Sequence, residues 1–103
     1  VLMLRHNDSC TELLTILQEE CAEVIQRVSK VKRFGQDKHN LDLLAKEVGD
    51  LVCMIELLQQ WEVVSYSAVE DARTEKLFKL RVWSHLFDYD SDENYDAGIR
   101  SDN

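Results

Sequence analysis

Six residues, Leu43, Glu47, Asp50, Met54, Leu57 and Trp61, recur at spacings of four, three, four, three and four. That is the rhythm of a helix face that packs along a neighbour. Four of the six are large and apolar, and the middle two are carboxylates. Upstream, Leu13, Ile16, Glu20, Glu23, Arg27 and Lys30 keep the same rhythm, again with a carboxylate pair after apolar neighbours. An ionised carboxylate in a packed seam is costly unless its charge is met. Two such pairs on two helices point to a polyvalent cation held between them.

The remaining sequence favours helices throughout. A chain of 103 residues, 45% hydrophobic and without proline, reads as an all-α fold with one modest core. A formal net charge of -8 argues against a nucleic-acid polymer or an anionic membrane as partner. No run of ~18 apolar residues exists to span a bilayer. No secretory signal pattern is visible. The three cysteines, Cys10, Cys21 and Cys53, have no zinc spacing and are odd in number. They read as free thiols in the core or at an interface, in a reducing cytoplasm.

The first helix is expected to start near Asp8 or Ser9, since Ser9 and Glu12 have the spacing of a capping box. Its main apolar face reads Cys10, Leu14, Leu17, Cys21, Val24, Val28 and Val31, and Gly35 ends it. The polar connection from Gly35 to Asn40 is short, so the second helix runs back antiparallel, with Asn40 as N-cap and an end near Val64. Its broad apolar face is Leu44, Val48, Leu51, Val52, Ile55 and Leu58. The carboxylate stripe lies beside that face. The second helix therefore has two faces to bury, one on the first helix and one on a third helix, a second subunit or both. A third helix is expected from about Ser67 to Leu86, with Ala68, Ala72, Leu77, Leu80 and Trp83 or Phe87 turned inward. Residues 1–87 form the helical domain on this reading. Residues 88–103 form an acidic, flexible tail. The alternating acids of that tail lack the glycine and glutamate of a calcium loop.

Residues at one level of an antiparallel hairpin share a constant sum of residue numbers. Glu23 with Glu47 and Glu20 with Asp50 share one such sum, which centres the turn on Gly35. The four carboxylates are thus expected at one level. Held together without a counter-ion, they would raise one another's pKa and push the helices apart. A hard divalent cation with oxygen ligands, Mg²⁺ above all, removes that repulsion. Neither pair contains histidine, which disfavours zinc and Glu-x-x-His di-iron sites. The plainer alternative is a solvated acidic surface with ion pairs, such as Glu23 with Arg27 one turn on.

Glu19-Glu20-Cys21-Ala22-Glu23 is an EExxE motif, and Glu47-Val48-Gly49-Asp50 is an ExxD motif on the next helix. The ordered pair, with Gly49 before the Asp and an apolar run after it, resembles the MazG-like all-α nucleoside triphosphate pyrophosphohydrolases, in particular their small single-domain type. The resemblance spans about residues 12–83. It implies an oligomeric helical bundle, a homodimer or homotetramer, with Glu20, Glu23, Glu47 and Asp50 as ligands to Mg²⁺, for which Mn²⁺ substitutes. It makes Glu19 a second-metal ligand or a water activator. The implied reaction is hydrolysis of a dNTP or non-standard NTP to the monophosphate and pyrophosphate. Thr74-Glu75-Lys76-Leu77-Phe78-Lys79 resembles the basic segment that reaches the phosphates. Lys76 and Lys79, with Lys30 and Arg33, are the candidate phosphate contacts. Trp61 packs in a core or interface, or walls a base pocket. The competing classes are a helical adaptor without activity and a nucleotide binder without turnover.

Overall fold

A computed structural model of the protein describes residues 7–88. Three helices account for its secondary structure, α1 (Asn7–Phe34), α2 (Lys38–Gln60) and α3 (Tyr66–Trp83), and no strand occurs among the described residues. The chain divides into two compact units, Val1–Tyr66 and Ser67–Asn103. The reading of a flexible tail falls, from residue 89 on, outside the described residues.

In the first unit α1 and α2 pack along each other as a hairpin. Gly35 takes φ of 119°, a conformation open to a residue without a Cβ, and its N–H closes on the Val31 carbonyl at 2.9 Å. Lys32 and Arg33 occupy the last turn of α1, where cations suit the helix dipole. Only residues 35–37 separate the helices. The N-cap of α2 is Asp37 rather than Asn40: its carboxylate accepts the Asn40 N–H at 2.9 Å. Asn40 instead sits in the first turn, and its Nδ2 donates to the Gly35 carbonyl at 3.1 Å, tying the turn together. At the other end of the hairpin α1 begins at Asn7, so Ser9 lies inside the helix and does not cap it.

The second helix stops at Gln60, before the expected Val64, and a specific motif stops it. Trp61 is the C-cap and Glu62 turns left-handed, with φ of 60°. The Glu62 N–H then reaches the Gln59 carbonyl at 3.1 Å, and the Val63 N–H reaches Leu58 at 2.9 Å. These are the two hydrogen bonds of a Schellman ending, and Val63 packs against the core beside Leu58 as that motif favours.

The core is small and lies at the open end of the hairpin. Leu13, Met54 and Leu58 are buried, with Ile16, Leu17, Leu57 and Trp61 packed on them. Thus α1 uses the face expected of it only in part: Leu17 packs on the core, and Cys10, Val24 and Val31 are half-buried. Leu14 and Val28 are exposed, as is Cys21, while Leu13 and Ile16, on the carboxylate stripe, face α2. Likewise α2 leaves Val48 and Val52 open. A hairpin has one interface, and each helix here carries two apolar stripes, so one stripe on each helix remains uncovered within the hairpin. Cys53 is also exposed, and only Cys10 is half-buried, so within the single chain the thiols are not core residues.

In the second unit α3 has no buried residue. Of the expected inward set, Ala68, Ala72, Leu77 and Trp83 are exposed, and Leu80 and Phe87 are half-buried. The helix ends at Trp83, before Leu86. There the Ser84 hydroxyl donates to the Leu80 carbonyl at 2.7 Å and accepts the Leu86 N–H at 3.2 Å, which offers the chain an alternative to another helical turn. Arg81 lies over the Phe87 ring, 4.5 Å from its centre, and His85 pairs with Asp88 at 3.0 Å.

Candidate metal centre

Glu20 from α1 and Glu47 and Asp50 from α2 converge across the hairpin seam. One carboxylate oxygen of each lies within 4.8 Å of the others. The local reason is helical phase. Glu20 falls in line with Leu13, Val24 and Val31 on the side of α1 that faces α2, and Glu47 and Asp50 flank the matching line on α2. All three residues are half-buried. The Glu47 side chain is more enclosed than that of Asp50, at 15% exposure against 44%.

Glu23, the fourth acid expected, is exposed and lies outside this group. It stands three residues, or about 300° of helical turn, from Glu20, which rotates it to the rim of the seam. Its charge is still felt, since Glu23 is among the groups acting on Glu20. Glu19 is exposed and also outside the group.

The electrostatics follow from that crowding. Partial burial, and then the charges of Asp50, Glu47 and Glu23, push the Glu20 carboxyl above the usual range, while Lys46 pulls it the other way. Lys46 is the residue the motif reading passes over. Its Nζ lies 3.0 Å from Asp50 and 3.9 Å from Glu47. The bond to Asp50 makes Lys46 hold its proton more tightly than an ordinary lysine. The signal for it was present in the sequence, because Lys46 and Asp50 are four residues apart on one helix. Arg27, half-buried in the seam, forms no ion pair with Glu23 among the described residues.

The donor set fits a hard divalent cation. A magnesium ion binds oxygen at about 2.0–2.1 Å, so opposite ligands stand roughly 4.2 Å apart. Adjacent ligands stand roughly 2.9 Å apart, so three oxygens within 4.8 Å of one another would have to draw closer to share such an ion.

The basic residues expected at phosphates are spread along the chain. Lys30 and Arg33 are exposed on the last turns of α1, and Arg33 lies 5.5 Å from the centre of the Phe34 ring. Lys76 and Lys79 are exposed on α3, in the second unit, where Lys79 reaches Glu75 at 3.5 Å.

Next to the carboxylates, toward the open end of the hairpin, lies a cavity of about 310 Å³. Leu13, Ile16, Met54, Leu57 and Trp61 form its apolar walls. Ser9 and Glu12, one turn apart on α1, supply its polar edge.

Comparison with protein-family models, with curated proteins and with solved structures finds no match to this chain. Among the described residues no helix is long and apolar enough to cross a membrane.

Proposed function

We propose that this protein is a magnesium-dependent nucleoside triphosphate pyrophosphohydrolase of the MazG-like type, acting on a dNTP or a non-standard NTP. The observation that carries the reading is the convergence of Glu20, Glu47 and Asp50, one from the EExxE segment and two from the ExxD segment, at one level of an antiparallel hairpin. In the reaction, water attacks the α-phosphorus. The bond to the bridging oxygen breaks and pyrophosphate leaves with the electron pair. Such a transfer needs positioning and charge neutralisation more than covalent chemistry. Bound at these three carboxylates, Mg²⁺ supplies Lewis acidity toward phosphate oxygens and a lowered pKa for water.

The chain's own residues divide the remaining work. Glu20, Glu47 and Asp50 hold the cation site together across the seam. Glu23 and Glu19, exposed beside that group, are the carboxylates left to take the proton of the attacking water. Lys46 screens Asp50 and Glu47 and offers its ammonium to a phosphate oxygen when substrate arrives. Lys30, Arg33, Lys76 and Lys79 are the further phosphate contacts. The uncovered stripes of α1 and α2 support assembly into a homodimer or homotetramer.

Pyrophosphate release tests the reading, measured across the common NTPs and dNTPs with Mg²⁺ and with EDTA. Magnesium-dependent release is expected from at least one of them. Glu47→Ala and Asp50→Ala should each lower it by about 100-fold or more, the scale of removing charge stabilisation from a transition state. Full activity in both variants would sink the site assignment. The open apolar stripes also suit a second reading, a helical assembly module without turnover. Such a module gains no thermal stability from Mg²⁺, whereas a protein that binds the ion only when folded does.

A further inference from the structure

We infer that the cavity beside the carboxylates is the base-binding half of the nucleotide site, and that Glu12 makes it select bases with N–H donors on their pairing edge, guanine first. The inference rests on the pyrophosphohydrolase reading and adds to it a substrate class and a selecting residue.

Position is the first support. Ile16 stands one helical turn from Glu20, and Met54 one turn from Asp50, so the cavity opens directly next to the carboxylate group on the same stripe. From Asp50 to Leu57 the helix advances about 10 Å, at 1.5 Å per residue. That is the reach from a nucleotide's α-phosphate, across its sugar, to its base. A phosphate held at the carboxylates through the cation therefore delivers its base between Ile16, Leu57 and Trp61.

Size and chemistry agree. A volume of about 310 Å³ accepts a purine ring, and falls at the small end of ligand pockets generally. The walls are aliphatic except for one indole, which suits a flat ring with a polar edge.

Charge then chooses among bases. Among the described residues the single charged side chain in the lining is Glu12, and an ionised carboxylate only accepts hydrogen bonds. Among the described residues Glu12 has no ion pair. Guanine presents two adjacent donors, N1–H and N2–H, to the two oxygens of a carboxylate. Adenine and cytosine present one amino group each. Uracil and thymine flank their lone N–H with carbonyl oxygens, which a carboxylate repels.

The test uses the whole 103-residue chain and a readout independent of turnover. Trp83→Phe removes the other indole, which is 82% exposed, leaving Trp61 as the fluorophore. GMP and TMP, which as monophosphates are not turned over, are titrated against Trp61 emission in Mg²⁺, in this background and with Glu12→Gln added. GMP should quench at a concentration about tenfold or more below TMP, the worth of a charged hydrogen bond, and Glu12→Gln should bring that ratio toward one. Equal quenching by both nucleotides, or no quenching by either, would overturn the inference, and the second result is expected if a side chain of another copy fills the cavity. A preference for GMP that survives Glu12→Gln would also overturn it. The pyrophosphate-release screen is scored separately: absence of hydrolysis with selective quenching intact strikes the enzymatic reading and not the base pocket.

Discussion

Glu20 shows what a carboxylate meets in a packed helical seam. Its carboxyl is held above the usual range by partial burial and by three neighbouring carboxylates. A carboxyl whose folded pKa exceeds its unfolded value binds protons more readily in the folded state. Its ionisation therefore costs the fold nothing below the ordinary carboxylate range and weakens it as pH rises through the raised value. Without metal, Glu20→Gln should raise the melting temperature at neutral pH and leave it nearly unchanged near pH 3. The same variant should lose the stabilisation that Mg²⁺ gives the wild type; thermal melts at the two pH values, with Mg²⁺ and with EDTA, check both arms. Lys46 acts in the opposite sense, as a built-in cation 3.0 Å from Asp50. Replacing it by methionine should tighten Mg²⁺ binding severalfold in calorimetry, because the ion no longer competes with an ammonium for Asp50. At this scale the three converging acids were legible from matched levels, since helical rise is regular. Glu23 stands outside that group because level and angle are separate coordinates, and a residue at the right height can still point past its partner.

At the scale of elements, Gly35 as the end of α1 and the antiparallel return were legible because a glycine followed by a short polar run has few alternatives. The caps of α2 were not. Asp37 and Asn40 are both good N-cap residues three positions apart, and what separates them is that Asp37 takes the extended backbone the cap requires. At the other end, Glu62 occupies the left-handed position that glycine fills without a Cβ penalty. Glu62→Gly should stabilise the hairpin by about 0.5–1 kcal/mol. Urea denaturation followed by circular dichroism would measure it, and a lower midpoint would count against the assigned backbone geometry.

For the whole molecule, the lesson lies in which apolar stripe was spent inside the chain. Leu14, Cys21 and Val28 repeat every seven residues on α1, and Val48 and Val52 stand one turn apart on α2, so both stripes read as core. Yet these residues remain open, and Leu13, Ile16, Leu17, Met54 and Leu58 do the packing. Sequence periodicity reports that a face is to be covered and does not say whether its cover comes from the same chain. With three buried residues among those described, the core is thin for a domain that must fold alone. Sedimentation should accordingly give a mass at least twice the monomer's 12.0 kDa. Val52→Lys, which places a charge on the open stripe, should shift the mass toward the monomer; a wild type that sediments as a monomer would refute the assembly.

The connection of residues 35–37 also sets an order of events in folding. A hairpin closed by so short a link loses least entropy when it zips from the link outward. The level of Glu20, Glu47 and Asp50 comes before that of Leu13, Met54 and Leu58, which lies at the open end. The chain thus meets its electrostatic barrier before its main apolar contacts are made. An interaction already formed in the transition state governs the rate of folding more than the rate of unfolding. A cation at the seam should therefore be felt first as a faster refolding limb, with unfolding little altered.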